Sequence, residues 1–198
     1  MYARAIFTAF LLLIGAANTV AADNRDYFAL HYSAITYEDT SLGESLEFKP
    51  TALVARMGSF INRYLAIEAR FGFGLSDDAI TTSGNSTLLG AYSGNIGYDI
   101  KNLFAVYAVG NLSVTDRFDL YGLLGYSSVD ADISFGLTTA KYGVSSLSGN
   151  DTENGLSYGF GAAIEIMKNR SLNIEYISYL DKDEFTLGGV NLGVLFNY

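Results

Sequence analysis

The 198-residue chain has no cysteine, no tryptophan, one proline and one histidine. Without cysteine there is no disulfide framework, no thiolate metal site and no cysteine nucleophile. A single histidine removes most of the usual catalytic and metal-binding vocabulary, and no cofactor or metal is expected. A formal charge of −9 argues against nucleic acid as a partner. Beyond the N-terminal stretch, no apolar run approaches the roughly 20 residues that a spanning helix needs. What the chain does contain is 15 tyrosines, 13 phenylalanines and 21 glycines. Such a composition points to β-structure.

The opening "MYARAIFTAFLLLIGAANTVAADN" has the three parts of an export signal. Arg4 is the basic n-region, Ala5 to Ala17 the apolar core, and small residues follow up to a cleavage point after Ala22. Residues 1–22 are therefore expected to be a signal peptide and residues 23–198 a single exported domain.

From residue 27 onward, period-2 alternation recurs. In "LAIEARFGFGL", Leu65, Ile67, Ala69, Phe71, Phe73 and Leu75 share one face, with Glu68, Arg70, Gly72 and Gly74 on the other. "LSYGFGAAIEIM" sets Tyr158, Phe160 and Ile164 against Ser157, Gly159, Gly161 and Glu165. The final stretch sets Val190, Leu192, Val194, Phe196 and Tyr198 against Gly189, Asn191, Gly193 and Asn197. Successive strand side chains point to opposite faces, so each segment has one apolar and one polar or small face. Eight strands are expected, at 27–37, 51–60, 64–75, 101–113, 118–128, 155–167, 171–180 and 185–198. Short turns alternate with long polar connections at 38–50, 76–100 and 129–154, and "GVSSLSGNDTEN" (143–154) reads as a mobile tip. Strands four and five are apolar on both faces, which leaves their inward side open.

Size gives the direction of the faces. Eight strands enclose a narrow interior. Glycines and a few charges fit inside it, whereas a full set of Phe, Tyr and Leu does not. The apolar faces therefore point outward, into lipid, and the fold expected is an all-β, eight-stranded, antiparallel up-and-down transmembrane barrel. Closing the first strand on the last removes the edges that hydrocarbon does not tolerate.

Two stretches carry a resemblance. "NLGVLFNY" reads polar, any, Gly, any, any, aromatic, any, aromatic, and resembles the C-terminal assembly signal of Gram-negative outer-membrane barrels. "NLFAVYAVGNLSVTDRFDLYGLLGYSS" (102–128) is similar to the fourth and fifth strands of small OmpA-like and opacity-type barrels, the porin family proteins. The resemblance implies location in the cell outer membrane. It also implies that the barrel-insertion machinery reads Asn191, Gly193, Phe196 and Tyr198. Outer-membrane lipids and lipopolysaccharide are implied partners, with an extracellular or host surface ligand as a further one. OmpA itself continues into a peptidoglycan-binding domain that has no counterpart here, so cell-wall anchoring is not carried over.

Charges on the small-residue faces form the candidate site. If the "INR" turn centres on Asn62, Arg56 faces Glu68 directly, with Arg70 one inward position along and Glu165 and Glu175 inward on strands six and seven. A lumenal network of Arg56, Glu68, Arg70, Glu165 and Glu175 is expected, since unpaired charge in a confined interior costs several kcal/mol. A structural plug is the first reading of that network and a narrow ion pathway or gate the second. His31 lies mid-strand with Ser33 two residues on, a pair compatible with a lipid-acting enzyme, but no nucleophile, base and orienter visibly converge. The connections at 38–50, 76–101, 129–154 and 181–184 hold 14 of the 21 acidic residues. The function expected is a non-enzymatic structural or surface-interaction role with at most a narrow pore. A small ion channel and a lipid-acting enzyme are the alternatives, and a soluble barrel with its faces reversed is a further one.

Overall fold

The computed structural model describes residues 26–40 and 46–198. The expected signal peptide lies outside the described residues. Ten strands form one antiparallel sheet: β1 (Asp26–Asp39), β2 (Leu46–Phe48), β3 (Thr51–Phe60), β4 (Leu65–Ser76), β5 (Asp78–Ser86), β6 (Gly90–Thr115), β7 (Phe118–Thr139), β8 (Gly143–Met167), β9 (Arg170–Asp181) and β10 (Phe185–Asn197). Eight of them make a ring in the order β10-β9-β8-β7-β6-β4-β3-β1, and β1 returns to β10. That seam runs from Tyr27 opposite Asn197 to Asp39 opposite Phe185 without a register break. β2 adds to the upper end of β1, and β5 pairs with β6.

The alternating pattern decides which side of each strand meets lipid. Phe28, Leu30, Phe71, Phe73, Phe160, Ile164 and Leu192 are exposed on the outer surface. His31, Ser33, Arg56, Glu68, Arg70, Ser157, Glu175 and Asn191 are buried inside. For β6 and β7 the inward residues are Leu103, Ala105, Tyr107 and Val109, then Tyr121, Leu123, Ser127 and Val129. Apolar side chains outside and polar ones inside reverse the arrangement of a water-soluble barrel.

The connections depart from expectation. Most of 76–100 and 129–154 is strand rather than loop: β6, β7 and β8 run for 26, 22 and 25 residues. Spanning a bilayer takes about 9–11 tilted residues, so half or more of each strand stands beyond it. There β5, β6, β7 and β8 form a four-stranded extension, with Ile80, Ile96, Phe135 and Leu147 in cross-strand register. The stretch 143–154 belongs to β8, paired residue by residue with β7. Its Ser, Gly and Asn content reads as a loop because residues 143–152 are exposed on both faces of the strand.

The turns at the opposite end are tight. Asp116–Arg117 and Lys168–Asn169 each close a hairpin in two residues, and Asn169 sits at φ 63°, a left-handed conformation that asparagine tolerates. The β3–β4 turn is wider. The Asn62 side chain accepts from the backbone N–H groups of Tyr64 and Leu65 at 2.8 and 3.0 Å. The Ile61 N–H closes on the Leu65 carbonyl at 2.8 Å. The reversal therefore centres on residue 63. Of the aromatic residues near strand ends, Tyr64 and Tyr126 face outward, whereas Tyr179 is buried inside and Tyr37 packs into the barrel mouth.

Candidate functional site

The lumen is stratified. At the short-turn end a cavity of about 340 Å³ opens, lined by Asn111, Asp119, Asn169, Ser171 and Asn197 with Phe60, Leu195 and Tyr198. Above it lies the charge cluster. Higher again, Ile35, Val54, Ile100, Leu103, Ile177 and Leu187 make a dry apolar layer, each at most 1% exposed. An aromatic group of Tyr37, Phe48, Tyr98 and Phe185 caps that layer at the long-hairpin end.

In the charge cluster two guanidiniums and two carboxylates interlock. Glu68 Oε2 accepts from Arg56 Nε at 2.9 Å and Nη2 at 2.6 Å, and from the Tyr27 hydroxyl at 2.5 Å. Its Oε1 accepts from Arg70 Nε at 2.5 Å. Across the lumen, Glu175 accepts from Arg70 Nη1, from Arg70 Nη2 at 3.1 Å and from Arg56 Nη1 at 3.2 Å. Tyr121 and Asn191 each donate to Glu175 at 3.0 Å. The Asn173 amide, set with its oxygen toward Arg56, accepts from Nη1 at 2.7 Å and donates to the Gly193 carbonyl at 3.1 Å. Tyr121 and Tyr107 present their ring faces to Arg56 and Arg70 at 5.4 and 4.9 Å. Two positive and two negative groups sum to zero, which is how a dry interior holds charge.

Of the five residues expected in this network, Arg56, Glu68, Arg70 and Glu175 meet. Glu165 does not: it lies at the short-turn end, where its carboxylate accepts from the Asn169 N–H at 3.2 Å. It shares the inward parity, but it sits ten residues below Glu175 around the hairpin and two strand steps lower in the barrel. The expected direct pairing of Arg56 with Glu68 is also corrected. Arg56 stands opposite Arg70, and Glu68 opposite Gly58. The Asn62-capped turn shifts the register by two, so the ion pairs are diagonal. Like charges face one another across β3 and β4 because both carboxylates sit between them.

His31 belongs to the cluster. Its Nδ1 is 3.2 Å from Glu175 Oε1, and its Nε2 is 3.3 Å from Arg56 Nη1. The neighbouring Ser33 Oγ is buried without a hydrogen-bond partner. Tyr27, Tyr121, Asn173 and Asn191 were not expected as members. Inward parity with the charges was the signal available for them. In the proposed assembly motif, Asn191 and Gly193 face the lumen, Phe196 faces outward, and Tyr198 is exposed at the rim of the short-turn cavity. A side chain at 193 would overlap the His31 ring and the Leu30 carbonyl. No group of three or more His, Asp or Glu among the described residues is arranged to hold a metal.

A closed antiparallel ring with a lipid-facing apolar exterior and a polar interior defines a transmembrane β-barrel of the bacterial outer membrane. The chain belongs to the outer membrane protein beta-barrel domain family, whose model matches residues 6–197. A comparison with curated proteins by sequence finds no match. Among solved structures the chain is similar to Ail, the attachment invasion locus protein of Yersinia pestis, crystallised with the heparin analogue sucrose octasulfate. Identity is 16%, TM-score 0.55, and 88% of this chain and 99% of Ail are covered. OprG from Pseudomonas aeruginosa matches at 10% identity and TM-score 0.52, over 89% of this chain and 97% of OprG. Neisserial surface protein A matches at 13% identity and TM-score 0.51, over 87% and 97%. At these identities the likeness shows the fold.

Proposed function

We propose that this outer-membrane protein is a closed, non-enzymatic barrel that acts at the cell surface through the β-sheet it holds above the membrane. The observation that carries the reading is the sealed lumen. Arg56, Glu68, Arg70 and Glu175 are each at most 2% exposed, and the apolar layer above them is equally dry. Such an interior stiffens a platform rather than conducting. Catalysis finds no support, since His31 is enclosed between Arg56 and Glu175 and makes no hydrogen bond to Ser33.

In this reading a signal peptide of residues 1–22 directs export, and residues 23–198 form the barrel. The insertion machinery recognises Asn191, Gly193, Phe196 and Tyr198. Lipids and lipopolysaccharide surround the apolar belt, and an extracellular ligand meets the extension. Ail is the neighbour crystallised with a sulfated sugar. This chain lacks the charge for such a ligand: its connections at 38–50, 76–101, 129–154 and 181–184 carry 14 acidic residues against Lys49, Lys101, Lys141 and Lys182. Recording in planar bilayers tests the sealed lumen, and no steady conductance is expected. Replacing residues 79–97 and 132–150 by two-residue turns tests the surface role. The barrel should still fold, with cell-surface attachment lost. Steady conductance by the wild type, or unchanged attachment after the replacement, overturns the proposal.

A further inference from the structure

The mouth at the long-hairpin end has its own chemistry. Tyr37 and Tyr98 stack with ring centroids 4.4 Å apart and planes 13° from parallel. Phe185 lies 5.5 Å from Tyr37. Beside them is a recess of about 50 Å³ lined by Tyr37, Tyr98, Phe185, Asp151 and Glu153 together with four aliphatic residues. Aromatic faces and carboxylates both favour positive charge. The chain supplies one such charge itself. Lys182, in the β9–β10 turn, pairs with Glu153 and places Nζ 5.4 Å from the centroid of the Phe185 ring. Asp151 has no such partner; its carboxylate accepts from the Thr152 N–H at 2.9 Å.

We propose that this mouth is a binding site for an organic ammonium group, primary or quaternary, and that Lys182 is a tethered occupant which an incoming cation displaces. The recess holds a few water-sized volumes, the scale of one ammonium head, with the remainder of the ligand leading outward. A divalent metal fits poorly. Hard cations call for about six oxygen ligands, whereas ring faces suit a weakly hydrated ammonium. The inference rests on the surface reading above only for which compartment the mouth faces.

The test is a titration of the refolded barrel with tetramethylammonium chloride, in octyl glucoside micelles that carry no ammonium of their own. Ring-labelled tyrosine NMR reads Tyr37 and Tyr98 directly. A saturable shift of both rings is expected. Lys182→Ala, at a half-exposed turn, should bind about three-fold more tightly, because the competing cation–π contact is gone. Asp151→Asn should weaken binding and Tyr98→Leu should abolish it, with a heat-induced mobility shift confirming that each variant is folded. No saturable shift in Lys182→Ala overturns the site. So does equal binding by a folded Tyr98→Leu, or displacement of tetramethylammonium by an equal concentration of magnesium. Labelling of Lys182 on intact cells with an impermeant amine reagent reports sidedness separately. An unlabelled Lys182 in a protein that binds when purified refutes the surface reading and leaves the site standing.

Discussion

Replacing Glu175 by glutamine removes one of the two carboxylates that neutralise Arg56 and Arg70. Both arginines are at most 2% exposed, so the lumen is left with one uncompensated positive charge that has almost no solvent contact to screen it. Two guanidiniums lose a partner, since Arg70 Nη2 stands 3.1 Å and Arg56 Nη1 3.2 Å from Glu175 Oε2. At an effective dielectric of about 20, one such contact is worth about 5 kcal/mol in Coulomb energy. Relaxation and the relief of carboxylate desolvation reduce this, and breaking a buried pair by removing one partner typically costs about 3–5 kcal/mol. Urea-induced unfolding in phospholipid vesicles, read by the mobility difference between folded and unfolded chains, measures the loss. Changing Arg70 to methionine in the same chain restores neutrality and should recover more than half of it. A loss below about 1 kcal/mol, or no recovery in the double variant, means that water reaches the cluster and refutes the sealed lumen.

Other substitutions probe different levels of the structure. Gly193→Ala forces a methyl group into the His31 ring and should cost about 1–3 kcal/mol in the same assay. Phe196→Ala touches no lumenal group, so a defect confined to insertion in cells, with normal refolding in vesicles, would separate recognition from packing. Asn169→Ala should destabilise by about 1 kcal/mol, because alanine is strained at φ 63°, whereas Asn169→Gly should be close to neutral. Lys101→Ala removes exposed pairs with Asp99 and Asp132 and should change stability by no more than about 0.5 kcal/mol, with any effect fading in high salt.

Period-2 alternation made the ring and its lipid-facing side legible, because each strand writes its two environments on alternate residues. Four of the five charges were legible for the same reason. Glu165 misled because parity gives the face but not the height, and height depends on where each hairpin turns. The Arg56–Glu68 register failed on one side-chain hydrogen-bond acceptor, Asn62, whose two bonds to the backbone lengthen the reversal. The extension was hidden because strands in water at low apolar content read like loops: "GVSSLSGNDTEN" has no alternation to detect. The apolar layer was missed at Leu103 in β6, where both faces are apolar, and at Ile177, close to where the register of β9 on β10 slips.

The charge cluster draws on β1, β3, β4, β6, β7, β9 and β10, and Arg56 and Glu175 are 119 residues apart in sequence. No partial ring assembles it, because Asn191 arrives only with the last strand and His31 only with the first. An open sheet inserted before Glu175 arrives would have Glu68 alone against Arg56 and Arg70, leaving one uncompensated positive charge against hydrocarbon, at roughly 2–4 kcal/mol near the midplane. Intermediates are therefore penalised on the way in, and for the same reason on the way out. The cluster acts as a latch that engages all at once, which makes formation of this barrel an all-or-none event and its loss from the membrane slow.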